Sequence, residues 1–318
     1  MILLNFWDKE ELKNGFRELY NLSESELMSI LDCARNDEEE NYVCDFCENT
    51  GVFLDELDVS HNVELFGKIV STTTDDNKSL QQYGVRNLDD LLEQDTPISR
   101  HLLNYGIRVN VKRQELFIGK RRFELLKRGE KCRECIFGKD KCMFEHRESF
   151  CPYIKDISLL CNKLYADNSE IEMFLIASEN EMLEYSTVKN FPEIFDTIEQ
   201  LAEKLTKKHF SICQDWMNQK NSSFFMSFKV LYDDLSYKTD YLCGGNLDSE
   251  IEIDKYKRFI RNDYFDSNMV PKCVWDNIWV IKKCIYILLE SDGYTPTIYA
   301  GIKHGINIPY YNLTIENI

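Results

Sequence analysis

Apolar positions recur at three- and four-residue steps between Asp8 and Leu19, which predicts an amphipathic helix capped by Asp8. Ser23-x-x-Glu26 is a capping box. Leu27, Ile30, Leu31 and Ala34 behind it share one stripe, so a second helix is expected there, closed by the acidic run Asp37 to Glu40. VELFGKIV (63–70) predicts a buried strand, with Ser71 to Asp75 as the turn after it. Helical text follows over 77–84, 87–94 and 96–106, where Gly84 and Gly106 are the expected stops. Val109, Val111, Leu116 and Ile118 then predict a hairpin within 108–123. Further on, one long helix is expected over 191–217, a strand over 224–232, and a strongly apolar helix over 274–290. Closing strands are expected in 295–305 and 310–315.

This order predicts an α+β fold, with helices packed on a mixed or antiparallel sheet. No repeat, low-complexity tract or Pro-rich linker divides the chain. Four parts are drawn from pattern: an N-terminal helical region (1–42), an α/β segment with the hairpin (43–127), a Cys-rich knob (128–155) and a C-terminal α+β region (156–318). An apolar fraction of 43% supports a real core and excludes global disorder. No run reaches the ~18 apolar residues of a membrane span. The start, MILLNFWDKEEL, lacks the basic region of a secretory signal, so the cytoplasm is the expected compartment and the cysteines are expected to be reduced.

Charge sharpens the picture. The formal net charge is −17, which argues against general nucleic-acid binding, because that needs a cationic footprint. Yet between Ile107 and Glu148 thirteen Lys or Arg stand against seven Asp or Glu. A basic arm on an acidic body suits a protein partner met by charge complementarity, with Arg121, Arg122, Lys127 and Arg128 as the contact residues. The plain alternative is a solvated surface that keeps the chain soluble. Self-association, the arm of one copy on the body of another, is a further expectation.

On that arm lie Cys132, Cys135, Cys142 and Cys151. Their spacing lets four thiolates surround one Zn²⁺ tetrahedrally, with His146 as a spare ligand. Such a site has no open position, so the zinc would be structural, a staple for a small excursion without a core of its own. The spacing matches neither common ferredoxin run. Reduced cysteines without metal are the other reading. Cys44 and Cys47 form a second Cys-x-x-Cys, which would be half of another site.

Catalytic motifs are sparse: there is no Gly-rich phosphate loop, no His-Glu-x-x-His and no Gly-x-Ser-x-Gly. The segment IVSTTTDDNKSLQQYGVRNLDDLL, with Thr72, Thr73, Thr74, Tyr83 and Gly84, resembles the opening of proteins with an ADP-ribosyltransferase-like fold. The close of the chain, an apolar helix and then two strands around Gly305, is similar too. The resemblance implies a strand end whose His orients a nicotinamide ribose, and a Glu at the head of a late strand that polarises it. Here Val70 or Ser71 holds the His place, and the late strand opens Pro296-Thr297-Ile298, with Glu290 upstream. What it implies is therefore a family member without the chemistry. If turnover were retained, Thr73, Tyr83 and Glu290 are the residues it nominates.

Two classes of function follow. The first is a non-catalytic protein-binding module. The Asn-, Lys-, Ile- and Tyr-rich text suits a phage or mobile element, so the expected role is an inhibitor that binds a host defence complex. The second is an NAD-dependent transferase acting in the same conflicts.

Overall fold

The structure, a computed structural model, describes residues 1–73, 78–125, 161, 164, 171–184, 190–219, 222–240, 254–261, 270–290 and 296–317. The elements run β1 (Ile2–Leu4), α1 (Lys9–Tyr20), α2 (Glu24–Ala34), α3 (Tyr42–Thr50), α4 (Val59–Asn62) and β2 (Val63–Thr73). Three short helices follow: α5 (Lys78–Tyr83), α6 (Leu88–Glu93) and α7 (Pro97–Leu103). After them come β3 (Ile107–Asn110), β4 (Glu115–Ile118), β5 (Arg121–Glu124), β6 (Ile171–Ile176) and α8 (Glu179–Glu184). The chain continues through α9 (Glu193–Thr206), α10 (Ile212–Met217), β7 (Ser222–Leu231), β8 (Leu235–Asp240), α11 (Lys272–Leu289), β9 (Ile298–Ile302) and β10 (Thr314–Asn317).

The fold is α+β. Seven strands form one sheet in the order β10-β7-β2-β6-β9-β8, with β1 paired to β2. The sheet is mixed, because β1 runs parallel to β2 and β6 antiparallel to it. A second sheet has the order β3-β4-β5, all antiparallel.

Several expectations are met. Asp8 caps α1 by accepting from the amides of Glu10 and Glu11, and Ser23 and Glu26 form both bonds of the capping box. Gly84, at positive φ, directly follows α5 as expected, whereas α7 already ends at Leu103 with Asn104 as its cap, and Gly106, also at positive φ, serves the turn into β3. Other expectations are corrected. Ser71 to Thr73 belong to β2 and are not a turn: β-branched Thr72 and Thr73 suit the pleat and are buried. The long helix expected over 191–217 is two helices. Lys207 takes a left-handed conformation (φ 59°) and ends α9. Glu203 then holds the connection by accepting from the Phe210 amide at 3.0 Å and pairing with His209. The hairpin gains a third strand, β5.

The chain divides into two compact units. The first comprises Met1–Lys68, Met173–Ser178 and Ser227–Ala300, and the second Ile69–Glu172, Glu179–Met226 and Gly301–Ile318. In the first unit α11 is buried on almost every side, so it forms the centre. It packs against α1, α2, α3 and α4. Phe16, Tyr20 and Phe46 make a mutual aromatic cluster, with centroids 4.9 to 5.5 Å apart. Asn277 is a polar residue threaded into this core: 0% exposed, it accepts from Tyr20 Oη at 2.8 Å and donates to the carbonyls of Leu54, Leu57 and Cys273. The core of the second unit gathers Ile107, Val109 and Leu116 with Phe195, Ile198 and Leu201 of α9 and Trp216 of α10. Among the described residues no helix is long and apolar enough to cross a membrane.

Candidate functional site

In the second unit the last residues of β2 open onto a cavity of about 280 Å³. Ile69 to Thr73 form one wall, and Ser79, Leu80, Gly84, Val85 and Arg86 form another. Ile98, Ile194, Trp216, Phe224 and Met226 supply most of the remaining hydrocarbon. Glu193, also in the lining, sits in the first turn of α9, where a carboxylate complements the positive helix end. Thr72 is 6% exposed, and its hydroxyl has no hydrogen-bond partner among the described residues. Arg86 NH1 donates to Gln94 Oε1 at 2.6 Å, while the guanidinium lies 3.5 Å from the centre of the Tyr83 ring. Burial pulls the Arg86 pKa below its usual value; Tyr83 and Asp90 oppose that. Arginine stays cationic all the same.

Beside this cavity the C-terminal tail is fixed to the α5–α6 connection. Val85 and Ile308 exchange both backbone bonds at 2.9 Å. Asn307 Oδ1 accepts from the Asn87 amide at 2.8 Å, and Asn307 Nδ2 donates to Asp90 at 2.8 Å. Gly84 is required there, since a Cβ would lie 2.0 Å from the Ile308 carbonyl oxygen. Asp89 is buried in the same place, with Lys112 Nζ at 3.3 Å and His304 Nδ1 at 3.8 Å. The tail then presents Tyr310, 38% exposed, and Tyr311, 84% exposed, where the short 3-10 turn Tyr310–Asn312 touches α5. Tyr83 at the end of α5 is 38% exposed.

The residues nominated from sequence are distributed as follows. Thr73 and Gly84 line the cavity; Tyr83 does not, and instead carries Arg86 on its ring. Glu290 belongs to the first unit, where it follows α11 and its carbonyl accepts from Lys9. Arg121 and Arg122 are exposed on β5, and Arg122 pairs with Glu115 and Glu124. Lys127, Arg128, Cys132, Cys135, Cys142, His146 and Cys151 lie outside the described residues, as does Thr74. Among the described residues no group of His, Cys, Asp and Glu could hold a metal ion. Cys44 and Cys47 are therefore not half of a second site in that set. They face the core of the first unit on α3, and burial pushes the Cys47 thiol up to about 12.

Other polar clusters hold structure together. In the first unit buried Asp276 accepts from Ser60 Oγ at 2.9 Å and from Lys272 Nζ at 2.6 Å, tying α4 to α11. Lys272 Nζ also donates to Ser60 Oγ at 2.8 Å, so the three side chains form one closed structural cluster. In the second unit His101 donates from Nε2 to the Ile212 carbonyl at 2.8 Å, and Nδ1 accepts from Gln219 at 3.0 Å. It is a fully satisfied core histidine beside Phe195 and Trp216. Sequence reading missed the Tyr310–Tyr311 surface, which lay inside an expected strand. The adjacent tyrosines in NIPYYNL were the available signal, because alternation would bury only one of them. Comparison of the chain with protein-family models, curated proteins and solved structures finds no match.

Proposed function

We propose that this chain is a non-catalytic protein-binding module: a phage or mobile-element inhibitor that works in the host cytoplasm by binding a defence complex. The observation that carries the reading is the pair Tyr310 and Tyr311, held out to solvent on a pinned tail beside Tyr83 and Arg86. Tyrosine and arginine are the side chains that most often dominate binding energy, and a preordered surface loses little freedom on docking. The acidic body and the basic arm add steering toward a protein partner, and a zinc-stapled knob would stiffen that arm.

The test compares the wild-type chain with two variants, Tyr310→Ala/Tyr311→Ala and Arg121→Glu/Arg122→Glu, as baits in host lysate over a salt series. A stoichiometric protein complex is expected. Its capture should fall as salt rises, because screening shortens the electrostatic reach to about 8 Å near physiological ionic strength. Both variants should lose the complex. The tyrosine variant should melt close to wild type, whereas Arg122→Glu sets a third carboxylate beside Glu115 and Glu124 and should melt lower. Arg121→Glu alone, which leaves that pair intact, is therefore expected to weaken the complex at an unchanged transition. Consumption of NAD⁺ without any stable complex would overturn the reading in favour of the transferase, which Thr73 and Gly84 in one cavity support.

A further inference from the structure

We propose that the cavity of the second unit is a binding site for a small uncharged aromatic ligand, of one or two fused rings, that carries a single hydrogen-bonding atom. The inference rests on the cavity itself and is independent of the partner-binding reading. At about 280 Å³ it is larger than the roughly 150 Å³ apolar cavity that accommodates benzene. It falls just short of the roughly 300–1,000 Å³ taken by drug-sized ligands. Two fused rings are therefore the fitting size.

Its described walls are mostly hydrocarbon, from Ile69, Leu80, Val85, Ile98 and Ile194, with the buried Trp216 and Phe224 behind them. The two charged residues in the described lining are already occupied. Arg86 is stacked on Tyr83 and bonded to Gln94, and Glu193 is likewise engaged. Among the described residues a charged ligand would find no idle counter-charge. What stands idle is the Thr72 hydroxyl, on a lining residue that is more than nine-tenths buried. A hydroxyl sealed from water without a partner is a standing cost to the empty protein. Threonine moves between staggered χ1 wells, and one such step carries the hydroxyl into the place that the methyl or the hydrogen held. A ligand atom that reaches Thr72 gains the new bond and relieves that cost together. Because a hydroxyl both donates and accepts, the ligand atom can be of either kind.

The test uses three probes of nearly equal shape: indole, which donates; quinoline, which accepts; and naphthalene, which does neither. Binding is followed by calorimetry on the full chain, with 2-naphthoate as the charged counterpart. All three neutral probes are expected to bind. Thr72→Val should weaken indole and quinoline about fivefold, the worth of one net hydrogen bond, and leave naphthalene unchanged. Without any probe, Thr72→Val should melt higher than wild type, because it removes an unpaired buried hydroxyl. Ile98→Trp, which fills the cavity, should abolish binding of all three while the thermal transition persists. The proposal is overturned if none of the three binds up to its solubility limit. It also fails if Thr72→Val weakens naphthalene as much as indole, or if 2-naphthoate binds more tightly than the neutral probes.

Discussion

Asn277 shows what a single residue decides. It is fully buried, and three polar groups depend on it: the Tyr20 hydroxyl and the carbonyls of Leu54 and Leu57, the Cys273 carbonyl having the helical N–H four residues on as well. Asn277→Ala would take this amide from all three in a buried core, where each lost partner costs about 1–3 kcal/mol. The expected loss, read from a urea transition, is about 3 kcal/mol or more. A loss below about 1 kcal/mol would show that water or repacking replaces the amide. Asn277 was not legible as an anchor. It stands in VWDNIWV, where the apolar stripe dominates, and its partner Tyr20 lies far off in sequence. Ser23 and Glu26 were legible because both halves of the box sit within one turn. Thr73 and Gly84 were both named in a short strand-turn-helix pattern, and the structure places both in the lining of one cavity, on different walls. Thr72 was named in the same pattern, but its unpaired hydroxyl is a property of packing and has no sequence signal.

At the scale of elements, periodicity found what was long and strongly patterned, α1, α2, β7 and α11, and it missed β1, β6 and β8. β1 has only three residues, too few to show alternation. β6, IEMFLI, is a nearly continuous apolar run, which periodicity alone does not separate from helix. Buried thiols also act through their elements. Burial pushes Cys47 on α3 up to about 12, and burial followed by Glu199 and Asp196 does the same to Cys213 on α10. An unfolded thiol ionises near 8.5. Above that pH the unfolded chain sheds protons that the fold retains, so the unfolded state gains. Stability should be whole below about pH 8.5 and decline as pH rises toward 12. Urea midpoints at pH 8, 9.5 and 11 would show the fall, and Cys47→Val should flatten it. A midpoint that does not move over that range would mean the helices open locally and ionise their thiols early.

At the scale of the whole molecule the prediction concerns the arm, whose four spaced cysteines, with Lys127 and Arg128, lie outside the described residues. Elemental analysis of protein purified without chelator should find about one zinc per chain, lost together with arm order in Cys135→Ser. Finding no metal, or a disulfide among Cys132, Cys135, Cys142 and Cys151, would remove the staple. The chain's overall class was readable because helix and strand text alternate without a repeat. The division into two units was not, since each unit is assembled from three separate stretches of chain.

Among the described residues the three-stranded sheet ends on β5, an edge whose exposed residues include Arg121, Arg122 and Glu124. An edge strand offers unpaired backbone groups to any other extended chain, and charge along it is how proteins prevent uncontrolled stacking into aggregates. The arginines proposed to meet a partner are thus also gatekeepers. Charge reversal keeps that guard while removing the attraction, whereas replacing the same pair with valine would strip it. An insoluble product would then mimic a lost interaction, so the sign of the charge, and not its presence, is the informative variable at this edge.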